Sequence, residues 1–142
     1  MTQTLKMDKA ALDAFMAREF AQVADVMDVV AADAGGVTLR LTPDARHLRP
    51  GGTVSGPSMF MLADVAVYFA ILSRIGPVAL AVTTGAHIDF MRKPSAETPI
   101  EARAEVLKLG KRLAVCSVAL RNAGADEVLA QAQMTYAIPP ER

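Results

Sequence analysis

Asp64 is the only ionisable side chain apart from Tyr68 in the most apolar stretch of the chain, residues 59–72. An ionised carboxylate among apolar neighbours costs several kcal/mol unless it is paired or faces a wet cavity. A structural partner would satisfy it: a backbone amide, a basic side chain such as Arg49, or a hydrogen bond across a subunit interface. A cavity would instead let the carboxylate take a proton from water or attack an electrophile. Gly56 supplies a second element, because an amide at the positive end of a helix dipole stabilises negative charge developing on a carbonyl oxygen. Taken alone, a Ser-Gly-Pro start is also ordinary capping chemistry. About two and a half helical turns, roughly 12 Å along the axis, separate Gly56 from Asp64. One chain therefore cannot place both at one atom, whereas two copies can.

The other reactive side chains are few. His47 and His87 are the only histidines and lack a metal-binding spacing. His47, in a loop, is expected to be solvated unless it swings toward the carboxylate. Asp89 is expected to face solvent or a neighbouring strand. Cys116 is the only cysteine, which rules out an intrachain disulfide and a cysteine-rich metal site, and its apolar neighbours predict a buried thiol. Arg92, Lys93, Lys111 and Arg112 fall at strand ends or turns, where they either meet phosphate groups or cover a solvated surface.

The elements that must position these residues follow from periodicity. Leu12, Phe15, Met16 and Phe20 recur at helical spacing behind a capping Asp8, with Asp13, Arg18 and Glu19 on the wetter faces. Residues 26–32 and 37–41 are short apolar runs separated by Asp33-Ala34-Gly35-Gly36, which predicts an antiparallel hairpin. Residues 42–54 are too punctuated by glycine and proline for regular structure and predict a long loop. Ser55 then caps a helix whose first turn accepts Pro57. That helix is apolar on nearly every face, so other structure must wrap it. Residues 79–91, 100–107, 113–120 and 128–137 supply the strands, with Gly110, Asn122 and Gly124 at turns, and short connections predict a meander. Met59, Phe60 and Met61 near the helix start predict an apolar pocket that adapts to differently shaped chains.

Composition narrows the function classes. The chain has 142 residues, 52% of them hydrophobic, consistent with one domain over residues 1–142. Its 15 acidic and 15 basic side chains cancel, so neither a nucleic-acid footprint nor a polybasic membrane anchor is expected. Residues 1–20 lack the uninterrupted apolar centre of a secretory signal, and residues 59–72 fall short of the roughly 20 residues that span a bilayer. A cytoplasmic protein with no membrane partner is expected.

The segment Ser55-Gly56-Pro57-Ser58-Met59-Phe60-Met61-Leu62-Ala63-Asp64 resembles the one that reads His-Gly-Gly, six residues, Asp in PaaI-like acyl-CoA thioesterases of the hot-dog-fold superfamily. The likeness continues through Ala86-His87-Ile88-Asp89-Phe90-Met91-Arg92-Lys93-Pro94, through Val106 to Ala114, and through Ala130-Gln131-Ala132. It implies an α+β hot-dog fold, a curved antiparallel sheet wrapped around a central apolar helix. It also implies a homodimer or homotetramer with active sites at the subunit interface, acting on an acyl-CoA without a metal or organic cofactor. Carried over by position, Asp64 is the general base or nucleophile, Gly56 the amide that polarises the thioester carbonyl, and Thr83 the hydroxyl that positions water. Arg49, Ser55, Met59, Arg92, Lys111 and Arg112 are the implied substrate contacts. Ser55 stands where the family has histidine, Arg49 where it usually has asparagine, and Pro57 where it has the second glycine. A guanidinium cannot accept a hydrogen bond from water and would lower the basicity of a carboxylate beside it.

The expected activity is hydrolysis of a small aryl or short- to medium-chain acyl-CoA. A hot-dog hydratase or dehydratase would ask for a histidine paired with an acid, which Ser55 does not supply. A dimer that binds acyl-CoA or another apolar ligand without turnover is the alternative from a different class. Loss of turnover in Asp64→Asn separates the two.

Overall fold

The computed structural model describes residues 5–140. Helix α1, Lys9–Glu19, starts where the Asp8 carboxylate accepts the Ala11 amide at 2.9 Å and buries Leu12, Phe15 and Met16. A short helix α2, Ala21–Ala24, leads into strand β1, Met27–Asp33, and strand β2, Gly36–Leu41. The Asp33 carboxylate accepts the amides of Gly35 and Gly36 and closes this hairpin. Gly36 answers a packing demand: a Cβ there would run into the Ala104 carbonyl oxygen on the neighbouring strand.

Residues 42–54 are less irregular than their composition predicts. A single 3-10 turn, Ala45–His47, forms because the Asp44 side chain accepts the Arg46 amide while the Asp44 amide donates to His47 Nδ1. Helix α3, Gly56–Ile75, follows. Ser55 caps it by accepting the Ser58 amide at 3.2 Å, Pro57 occupies its first turn, and Gly76 ends it with φ 97° and an amide bonded to the Leu72 carbonyl. Ser55→Ala should lower stability by about 1 kcal/mol, which thermal unfolding would register as a fall in Tm of roughly 3–5 °C.

Strands β3, Val82–Phe90, β4, Ile100–Leu109, β5, Leu113–Asn122, and β6, Ala130–Ala137, complete one antiparallel sheet in the order β1-β2-β4-β5-β6-β3. The meander expectation holds for β4 to β6 and fails for β3. Residues 91–99 carry the chain from β3 across the sheet, so β4 pairs with β2 and β3 becomes an edge beyond β6. The sheet wraps α3, and Leu39, Leu41, Leu62, Phe69, Ile71, Leu72, Ile100, Leu120 and Met134 are fully buried between them. At 20 residues α3 is longer than the apolar run suggests and long enough to cross a membrane, but 72% of its most apolar window is buried within the fold. It is a core helix.

Candidate active site

Asp64 lies on α3 beneath the far edge of the sheet and meets two hydroxyl groups. Thr83 Oγ1 donates to Asp64 Oδ1 at 2.7 Å, and the Tyr136 phenol donates to the same oxygen at 2.7 Å. Thr83 and Tyr136 are register partners on β3 and β6, so alternation sends both side chains to the helix face at one level. These are the partners that justify a carboxylate in an apolar helix. Arg49, the basic partner considered from sequence, is not among them.

The carboxylate opens into a cleft of about 440 Å³ lined by Phe20, Val65, Tyr68, Val82, Thr83 and Tyr136 among others. One wall is an aromatic cluster: Tyr68 packs 6.1 Å from Tyr136 and 6.0 Å from Phe20, centroid to centroid. Burial, reinforced by the charge of Asp64, holds the Tyr136 phenol far above the usual tyrosine range, and burial also raises Tyr68.

Gly56 belongs to a second groove, of about 370 Å³, lined by Arg49, Thr53, Val54, Met59, Phe90, Met91, Arg92, Lys93 and Pro94. The Phe90 ring packs over Gly56, with Cζ 3.5 Å from where a Cβ would stand. The cleft and the groove share no residue, in keeping with the separation expected along one helix. They occupy opposite ends of β3: Thr83 near its start borders the cleft, and Phe90 at its end borders the groove.

The remaining sequence candidates divide between these places. Met59 is buried in the groove beside Gly56, and Arg49 and Arg92 line it; Arg92 also forms a 3.0 Å ion pair with Glu127. Lys111 and Arg112 lie at the β4–β5 turn, at the Val82 end of the sheet, since Leu113 pairs with Ala137 and Ala137 with Val82. The four basic residues grouped from sequence thus fall into two pairs at opposite ends of one chain. Ser55 lines neither space: its hydroxyl accepts the Ser58 amide and donates to Ser58 Oγ at 2.9 Å, committing it to the cap. His47 departs from the solvated position expected of a loop histidine. It is 5% exposed, its Nδ1 accepts the Asp44 amide, and its carbonyl accepts the Ser55 amide at 2.7 Å, so it braces the approach to α3 rather than standing in solvent.

Asp89 is exposed and pairs with His87 at 3.1 Å. Cys116 is buried, which pushes its thiol up to about 12 and removes it as a nucleophile at neutral pH. Among the described residues, no group of three or more His, Cys, Asp and Glu could hold a metal. Sequence reasoning missed Tyr136 and Phe90. Tyr136 is the one hydroxyl among the inward positions Ala130, Ala132, Met134 and Tyr136 of β6, a signal that alternation alone exposes.

Known proteins resemble this chain in sequence and in fold. A sequence profile of the thioesterase superfamily matches residues 51–136. Human acyl-coenzyme A thioesterase 13 is 31% identical over 137 residues, covering 95% of this chain and 94% of the relative. Acyl-coenzyme A thioesterase PaaI of Escherichia coli K12 is 31% identical over 97 residues, covering 68% of this chain and 66% of the relative. Among solved structures, a candidate thioesterase from Silicibacter sp. TM1040 superposes with a TM-score of 0.90 at 46% identity, covering 99% of this chain and 97% of its own.

Proposed function

This chain belongs to the thioesterase superfamily and is a thioester hydrolase, and from that membership we propose that it cleaves a small aryl or short- to medium-chain acyl-CoA at a site built by two copies. The observation that carries the reading is the placement of Asp64 and Gly56 in separate spaces at opposite ends of β3. β3 is a sheet edge with hydrogen-bonding groups open on one side, and Val82, Phe90 and the adjacent Met91 are each about half exposed, at 54, 49 and 54%. An open edge carrying apolar side chains is a liability that pairing removes. Antiparallel pairing of β3 with β3 of a second copy would bring the start of each strand to the end of the other, and with it Asp64 of one copy toward Gly56 of the other.

In that assembly the Gly56 amide, at the N-terminus of α3, polarises the thioester carbonyl and receives its developing negative charge. Asp64 either takes a proton from the attacking water and passes it to the departing coenzyme A thiolate, or attacks the carbonyl carbon itself, expelling the thiolate and forming an acyl anhydride that water then hydrolyses, with the water's proton ending on the thiol. Thr83 holds Asp64 Oδ1. Met59 and the Phe20–Tyr68 wall supply apolar surface for the acyl group. The same pairing brings Lys111 and Arg112 of one copy near Arg49, Arg92 and Lys93 of the other, a basic rim suited to the phosphates of coenzyme A. The test is release of free thiol from aryl and aliphatic acyl-CoA esters by the purified protein. Turnover of at least one class is expected; binding without hydrolysis across the whole panel would replace this reading with that of an acyl-CoA-binding protein.

A further inference from the structure

We propose that Tyr136 is a positioning residue for the hydrolysis, donating the hydrogen bond that, with Thr83, fixes Asp64 Oδ1 and leaves Oδ2 as the oxygen that meets water or thioester. This rests on the hydrolase reading above. A carboxylate on a helix rotates about two side-chain bonds, and a base or nucleophile gains rate when its reactive oxygen is held in one place. Here both donors converge on one oxygen, at 2.7 Å each, from adjacent strands in register. Tyr136 is itself fixed: 3% exposed, it packs on Tyr68, whose hydroxyl is tied to the Ala79 carbonyl at 2.9 Å.

Packing alone does not account for the phenol. A buried tyrosine needs one acceptor for its hydroxyl, and the backbone carbonyl of Asp64 stands 3.0 Å away. The shorter contact goes to the carboxylate, a charge-assisted bond of the stronger kind. Because burial keeps the phenol protonated, it serves as a donor throughout the working pH range and does not compete with Asp64 for the proton of water.

Tyr136→Phe preserves the ring and its packing while deleting the donor. Relative to the native protein, its kcat should fall about 10- to 100-fold, the scale of a hydrogen bond to a charged group, with KM within about twofold. Added to Asp64→Asn, the same substitution should leave the residual rate unchanged, since Tyr136 acts through the carboxylate. A kcat within about twofold of native, or an equal fractional loss in the Asp64→Asn background, would overturn the proposal. Proton NMR gives a readout independent of turnover. A slowly exchanging, downfield phenolic resonance should be present in the native protein, kept in Tyr68→Phe, lost in Tyr136→Phe and displaced in Asp64→Asn. Its absence from the native protein would overturn the assigned bond even if Tyr136→Phe failed to fold. Its presence in a protein that hydrolysed no ester would leave the bond standing and overturn the hydrolase reading instead.

Discussion

Asp64→Asn should fold and associate like the native protein yet lose about 10³-fold in kcat, the scale set by removing a positioned general base. Asparagine is nearly isosteric, and its side-chain oxygen can still accept from Thr83 and Tyr136, so both hydrogen bonds to that oxygen survive. What disappears is chemistry: an amide nitrogen neither takes a proton from water nor attacks a thioester carbonyl. Thiol release under saturating acyl-CoA, together with unfolding temperature and sedimentation, measures the effect. A folded, dimeric variant that retained more than about a tenth of native turnover would remove Asp64 from the mechanism.

The second large effect concerns the proposed division of the site between copies. Gly56→Pro deletes the amide proposed as the oxyanion donor and puts a ring carbon in its place, beside Phe90. Proline suits the first helical position, where no amide hydrogen is needed, and Ser55 already has the extended backbone that precedes proline, with ψ 154°. Its kcat should fall about 10²- to 10³-fold, as on removal of an oxyanion donor. Mixing this variant with Asp64→Asn, after unfolding and refolding together, should restore about a quarter of native activity. Random pairing makes half of the dimers mixed, and each mixed dimer has one site with both Asp64 and Gly56 intact. Two variants that stay inactive together despite demonstrated mixed dimers would place the whole site in one chain.

Local signals were legible in the sequence, and long-range ones were not. α3 announces itself through Ser55, Pro57 and an apolar run, each of which acts within a turn or two of chain. Asp64 stands out because a charge in such a run needs a reason. The edge position of β3 is invisible by comparison: its own residues read as any strand, and only pairing with β6, the last element, decides where it lies. The same gap hid Tyr136, which in isolation is one more aromatic on an inward-facing strand position. His47 misled for the opposite reason. A loop histidine is ordinarily solvated, but Asp44 folds the loop back and gives the ring nitrogen a backbone donor. Ser55 caps α3, as a serine before Gly-Pro predicts, and that role uses the hydroxyl that the resemblance offers to substrate.

The position of β3 also orders the acquisition of the site in time. β3 precedes β4, β5 and β6 along the chain, yet its hydrogen-bonding neighbour is β6. On a ribosome, Thr83 emerges well before Tyr136, and closing the contact between them carries the entropy of the whole intervening segment. The hairpin β1–β2 and the run β4–β5–β6 can form from near neighbours, whereas the edge that carries Thr83 waits for the last strand. A chain arrested before β6 therefore leaves Val82–Phe90 without the strand it pairs with, and the interval between its synthesis and that of residues 130–137 is when the nascent protein is most exposed to association with the wrong partner.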